Sequence, residues 1–192
     1  MAKLYFRFGA MGSSKTANAL MTRFNYLERG MRVLVLKPRI ENRDGSGIIH
    51  SRIGLEAPAE VAEDYLDGDY KESYDAVIVD EVQFLEPEYI FKLASIVDET
   101  NTPVICYGLK TDFRGELFPA SKRLMELADV IEEIPTVCFC GRKAHFNARV
   151  DETGKIIKEG KLIVQGSQNY VSLCRKHFLL AETGSIESEK HS

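Results

Sequence analysis

The feature that most constrains this chain is a set of short apolar runs with no polar face. "VLVL" within 31–37, "AVIV" within 74–81 and "VIC" within 103–109 each read as a strand buried on both sides. Stretches of helical spacing lie between and beside them. Lys15 to Arg29 carries Ala19, Leu20, Phe24 and Leu27 as its apolar positions, and further helices are expected around 57–66, 87–98 and 121–128. Segments 3–8 and 129–134 complete the series of strands. Strands of this kind alternating with helices predict an α/β fold, a mainly parallel sheet covered on both faces. Gly30 ends the first helix and Pro38 the second strand. Residues 39–54 read as a long polar, glycine-rich loop.

After Pro135 the alternation gives way to short strand-like pieces, paired cysteines and glycine turns. The expected organisation is therefore an α/β domain over 1–135, a small module over 136–181 and a polar, disordered tail over 182–192. A chain of 192 residues suits one ordinary domain with such an appendage. Hydrophobic residues at 44% and charged residues at 28% are those of a soluble globular protein. No apolar run approaches the roughly 18 residues of a membrane span, and "MAKLYFRF" alternates like a strand rather than a signal peptide. A cytoplasmic protein is expected. The net charge of −4 argues against a dedicated partner of nucleic-acid polymers, while leaving room for a small anionic substrate.

The segment "GAMGSSKT" runs Gly9, Ala10, Met11, Gly12, Ser13, Ser14, Lys15, Thr16. It matches the phosphate-loop pattern G-x-x-x-x-G-K-[ST] except that Ser14 replaces the second glycine. In such a loop backbone N–H groups and the following helix N-terminus hold phosphates, the lysine reaches the β- and γ-phosphates, and the Thr hydroxyl meets Mg²⁺. A serine with positive φ there adds strain of about 1–3 kcal/mol. Taken alone, these eight residues fit equally a strand-to-helix turn in which Ser13 or Ser14 caps the helix. The run "AVIVDE" supplies the other half of an ATP site. Asp80 ends an apolar strand, as a Walker B aspartate does, and Glu81 beside it can act as a general base. Both Gly9 and Asp80 fall just past strand C-termini, the edge where parallel sheets bind ligands.

Three of the four cysteines lie in the last third of the chain. Cys138, Cys140, Cys174 and His177 form a Cys₃His set suited to a structural, tetrahedral zinc ion. The alternative is a metal-free knuckle with buried thiols. A module this small has little core of its own, which favours the metal. Cys106, inside a strand, reads as packing.

Together with "DEVQF" (80–84), "GLKTDFRGELF" (108–118) and "NYVSLCRKH" (169–177), the phosphate loop makes the chain resemble the type II, cytosolic-type thymidine kinase family in its bacterial form, over residues 3 to about 180. The resemblance implies Mg-dependent transfer of the ATP γ-phosphoryl group to the 5′-hydroxyl of thymidine or deoxyuridine, in nucleotide salvage for DNA synthesis. It implies a P-loop nucleotide-binding domain, a small zinc-ribbon-like module bearing a lasso loop near Ile163 to Tyr170, and a homotetramer. By motif, Glu81 is the base, Gly9 to Thr16 hold phosphate, and Thr16 and Asp80 hold Mg²⁺. Gln83 lies in the nucleotide-binding segment, and Arg43 matches an arginine near the reacting phosphates, with Glu41 where the family has aspartate. Met11, Phe84, Leu109, Phe113, Phe118, Ile163 and Tyr170 match positions lining the base pocket. Phe113 and Phe118 stand in a polar loop, where core packing does not account for them. The chain departs from the family in having Cys-x-Cys at 138–140, where many members have Cys-x-x-Cys. Two alternatives explain fewer of these segments: another P-loop phosphotransferase or ATPase, or a zinc-ribbon binding protein switched by nucleotide.

Overall fold

The structure is a computed structural model that describes residues 1–41, 47–68, 73–160 and 169–184. Its central feature is a six-stranded parallel sheet. The strands, in chain order, are β1 (Leu4–Phe8), β2 (Val33–Lys37), β5 (Glu60–Val61), β6 (Ala76–Val79), β7 (Val104–Gly108) and β8 (Val130–Glu133). Their order across the sheet is β5-β2-β6-β7-β1-β8, with every pairing parallel.

The apolar runs behave as their composition requires. Every residue of β6 and β7 is buried, because both faces of the sheet are covered. On one face Val77, Val79, Val104, Cys106, Leu34, Leu36 and Phe6 meet Ile90, Leu93 and Val97 of α3 (Pro87–Thr100) and Leu124 of α4 (Pro119–Leu127). The alternate residues Ile78, Ile105 and Tyr107 pack with Ala19 of α1 (Lys15–Leu27) on the other. Each such side chain contributes about 1.5–3 kcal/mol by leaving water. Pro87 and Pro119 sit in the first turns of their helices, where no backbone N–H is needed.

Three expectations differ. The loop expected over 39–54 contains a strand, β3 (Ile48–His50), paired antiparallel with β4 (Glu56–Pro58). Ile49 drives this, burying itself with Leu20, Val35 and Ala57. The helix expected from Ala57 begins only at Ala62, as α2 (Ala62–Asp67), because Ala57 precedes Pro58 and is biased to extended backbone. Finally, α1 buries Ala19 and Leu20 but leaves Phe24 57% and Leu27 39% exposed. Its second half therefore has an apolar surface rather than a core-facing one.

By its contacts the described chain forms two units. The first comprises Met1–Gly9, Ser14–Lys110 and Leu117–Ile134, and the second Ala10–Ser13, Thr111–Glu116 and Pro135–Ser192. The C-terminal part of the second unit is a three-stranded antiparallel sheet, β10-β9-β11, of β9 (Phe146–Val150), β10 (Ile156–Ile157) and β11 (Asn169–Leu173), followed by α5 (Arg175–Leu180). Its buried cluster is small: Cys138, Ala144, Ala148, Leu173, Cys174 and Phe178. The tail expected to be disordered falls largely outside the described residues, as does most of the lasso segment.

Candidate active site and metal cluster

Strand register brings the chemistry of the first unit to one edge of its sheet. Phe8 pairs with Gly108 and Val79 with Cys106, so Gly9, Asp80 and Leu109 follow adjacent strand ends. The Gly9 N–H donates to the Gly108 carbonyl at 3.3 Å, and Lys15 Nζ donates to the Gly9 carbonyl at 2.9 Å. A cleft at this edge is lined by Thr16, Lys37, Glu41, Ile48, Ile49, His50, Asp80 and Glu81. Of these, Thr16, Asp80 and Glu81 were expected from sequence. Lys37 was not, although a lysine closing an apolar strand is the kind of signal that could have found it. It is buried and donates to the Ile48 carbonyl at 2.7 Å.

Asp80 is 3% exposed, and its Oδ1 is buried without a hydrogen-bond partner. Burial, then the neighbouring Glu81 charge, push its carboxyl up to about 7, against hydrogen bonds from the Thr16 hydroxyl and the Glu81 backbone and the charge of Lys15. Burial likewise lowers the pKa of Lys15, with Glu81 and Asp80 opposing and Arg52 assisting that shift. An orphaned, desolvated carboxylate oxygen is a poor structural element and a good cation ligand.

Backbone conformation marks the same residues. Ser14 has φ 59° and Glu81 has φ 50°, both in the left-handed region that non-glycine residues avoid. Ser14 makes no side-chain capping bond to α1, so the cap alternative does not describe it. Glu81 is held there by Gln83, which is buried and uses its amide twice. Nε2 donates to Glu81 Oε2 at 2.5 Å, and Oε1 accepts the Leu109 N–H at 2.9 Å. Gly108 makes room for this amide, since a Cβ there would lie 2.5 Å from Gln83 Oε1. Phe84 and Phe118 meet edge to face at 5.9 Å nearby in sequence, and Ser121 donates to the Leu109 carbonyl at 2.6 Å.

The second unit contains Met11, Phe113 and Tyr170. Arg149, 3% exposed, lies over the Phe113 ring at 3.9 Å and donates to the Tyr170 hydroxyl at 3.1 and 3.2 Å. Asn147, also buried, accepts the Met11 N–H at 2.6 Å. Neither Asn147 nor Arg149 carries a sequence signal, since polar residues on a short strand read as solvent-facing. Phe113 and Phe118 are only 2% and 7% exposed, so the polar loop does not present them to solvent. Their burial comes from Arg149 and Phe84 respectively, outside the apolar clusters found among the described residues. Arg43 and Ile163 lie outside the described residues.

Cys138, Cys140, Cys174 and His177 converge, with all four ligand atoms within 4.8 Å of one another. Cys138 Sγ and Cys174 Sγ lie 3.4 and 3.5 Å from His177 Nδ1, and Cys140 Sγ lies 3.9 Å from Cys174 Sγ. A tetrahedral zinc ion at ordinary bond lengths requires edges of about 3.6 Å for S···N and about 3.8 Å for S···S. The short Cys-x-Cys spacing therefore closes the cluster: Gly141 follows it with φ 80°, and its N–H bonds the Cys138 carbonyl at 2.8 Å. His177 points Nδ1 at the sulfurs, leaving Nε2 3.6 Å from Glu182, with Phe139 stacked on the ring at 4.4 Å. Cys106 is fully buried in β7, where burial pushes its thiol pKa up, as its packing role predicts.

A family model described as thymidine kinase matches residues 2–178. The chain is 44% identical over 187 residues to the thymidine kinase of Zymomonas mobilis subsp. mobilis, covering 93% of this chain and 97% of that one. It is 42% identical over 202 residues to the thymidine kinase of Salmonella choleraesuis and 41% to that of Escherichia coli O157:H7, covering all of this chain and 98% of each. The chain belongs to the thymidine kinase family. No helix among the described residues is long and apolar enough to cross a membrane.

Asp80 gives the site a pH signature. Its raised folded pKa means that the folded state keeps a proton that the unfolded chain releases near pH 4. Its contribution to stability is thus full below about pH 4 and is lost as pH rises through about 7. Denaturant midpoints of the metal-free protein across pH 4–8 should fall more steeply for wild type than for Asp80→Asn. Parallel pH profiles for the two proteins would contradict this origin.

Proposed function

We propose that this thymidine kinase family member transfers the γ-phosphoryl group of ATP to the 5′-hydroxyl of thymidine or deoxyuridine, making the monophosphate for nucleotide salvage. The observation that carries the reading is the buried, unpartnered Asp80 oxygen in a cleft shared with Thr16 and Glu81. Asp80 and Thr16 would hold Mg²⁺, which when bound neutralises charge on the β- and γ-phosphates. Gly9 to Thr16 and Arg43 are assigned to the phosphates. A triphosphate would restore the charge that burial disfavours on Lys15. Glu81, oriented by Gln83, takes the 5′-hydroxyl proton.

Base recognition is assigned, by motif, to Met11, Phe84, Leu109, Phe113, Phe118 and Tyr170, with Ile163 beyond the described residues. Flat rings suit a flat base. The Cys₃His cluster is assigned to a structural zinc ion, whose role is to hold a module with few buried apolar residues. A cytoplasmic homotetramer follows the family resemblance, and exposed Met21, Phe24 and Leu27 on α1 suit a subunit contact. A light-scattering mass of one chain would remove that assignment.

Two variants test the core of this reading. Glu81→Gln should leave ATP binding intact and lower thymidine phosphorylation by about 10²–10⁴-fold; near-normal turnover would remove Glu81 from the role of base. Purified protein should hold near-stoichiometric zinc, and the Cys138→Ser, Cys174→Ser double variant should lose both the metal and amide protection in β9 and β11. A zinc-free preparation with β9 and β11 fully protected would instead mark a metal-free knuckle.

A further inference from the structure

Residues Ala10–Ser13 group with the C-terminal module by their contacts, although they are part of the phosphate loop in sequence. Within that unit a pair of hydrogen bonds reaches one residue of the loop. The Met11 N–H donates to Asn147 Oδ1 at 2.6 Å, and the Met11 carbonyl accepts from Ser172 Oγ at 2.5 Å. Both main-chain polar groups of Met11 are thereby held by side chains.

Those two side chains are not independent. Asn147 on β9 and Ser172 on β11 are directly opposite partners in the antiparallel ladder, so they project from the same face of the module's sheet. Asn147 is 3% exposed, and its carbonyl oxygen is committed to a main-chain donor. The pair also sits close to the metal cluster. Ser172 is two residues before Cys174, and the neighbouring ladder pair is Phe146 with Leu173. Phe146 in turn stacks on Phe178 at 4.5 Å, one residue beyond His177.

The geometry points to Asn147 and Ser172 as positioning residues that clamp the phosphate loop at Met11, making the order of the metal-bearing module a determinant of nucleotide binding. This rests on the reading of Gly9 to Thr16 as the phosphate site. Met11 precedes the left-handed pair of turns at Gly12, φ 77°, and Ser14, φ 59°, and lies four residues before Lys15. Fixing its peptide groups fixes where the loop enters those turns, and so where its N–H groups point. Recognition is through the main chain, so the clamp depends on the acceptor at 147 and the hydroxyl at 172 rather than on the methionine side chain. The Ala10–Ser13 stretch of the loop is thus held by residues far away in sequence.

The test uses full-length, zinc-loaded protein and two readouts that require no turnover: amide exchange at Met11 by NMR, and affinity for a non-hydrolysable fluorescent ATP analogue with Mg²⁺. In Asn147→Ala and Ser172→Ala, exchange at Met11 should rise and analogue affinity should fall, by about tenfold in Asn147→Ala, which leaves the Met11 N–H without its acceptor. Zinc content and the far-ultraviolet circular dichroism should stay at wild-type values. Ser172→Thr, which keeps the hydroxyl, should restore both readouts, and the two Ser172 variants carry the test should Asn147→Ala not fold. Unchanged exchange and affinity in Ser172→Ala and Asn147→Ala would overturn the clamp. Faster exchange at Met11 with unaltered analogue affinity would overturn its link to nucleotide binding. A wild type that protects Met11 but binds no analogue would overturn the phosphate-site reading itself and leave the clamp as a purely structural contact.

Discussion

A carboxylate stripped of water governs much of this molecule. Asp80 follows a strand in which every residue is buried, and that burial leaves one of its oxygens without a partner. A folded protein tolerates such a group only where the rest of its stability offsets it. Here the offset comes from the parallel sheet itself, whose two covered faces bury alternate residues of β2, β6 and β7 against α1 on one side and α3 and α4 on the other. The fold thus stabilises a site that is unfavourable in isolation. A buried oxygen without a partner is suited to a cation rather than to the protein around it.

The same logic extends to the backbone. Glu81 and Ser14 occupy left-handed conformations, each of which costs about 1–3 kcal/mol and persists only when its surroundings over-determine it. For Glu81 the surroundings are visible: the Gln83 amide joins the Glu81 carboxylate to the Leu109 backbone, in space that Gly108 leaves open. Beside Glu81 a buried, neutral amide thus ties a carboxylate to a main-chain group without adding charge to the cleft.

Much of this was legible in the sequence, and what was not has physical reasons. The parallel sheet followed from apolar runs that lack a polar face, and the site edge from the placement of Gly9 and Asp80 just past two of them. The Cys₃His set was legible despite its Cys-x-Cys spacing, because ligand chemistry is specified by residue type. The β3–β4 hairpin was hidden, since its strands are three residues each and only Ile49 among β3 is buried. The exposed Phe24 and Leu27 were misread because periodicity identifies an apolar stripe but not what covers it. Lys37, Asn147 and Arg149 were invisible for a related reason. A buried polar residue is recognised by its partners, and those partners lie far away in sequence. Phe113 and Phe118 show a third kind of limit: their loop is polar in composition, yet Arg149 and Phe84 bury them.

The central claim is that the desolvated Asp80, with Thr16 and Glu81 in its cleft, is built to support metal-dependent phosphoryl transfer to a nucleoside hydroxyl. The most direct measurement is transfer of labelled γ-phosphate from ATP to thymidine, followed while Mg²⁺ is titrated from excess chelator upward. The account predicts labelled thymidine monophosphate that is absent in chelator and rises saturably with Mg²⁺, with little ATP hydrolysis when thymidine is omitted. Transfer at full rate in chelator would contradict the role given to Asp80. Hydrolysis of ATP that proceeds equally with or without nucleoside would contradict the acceptor.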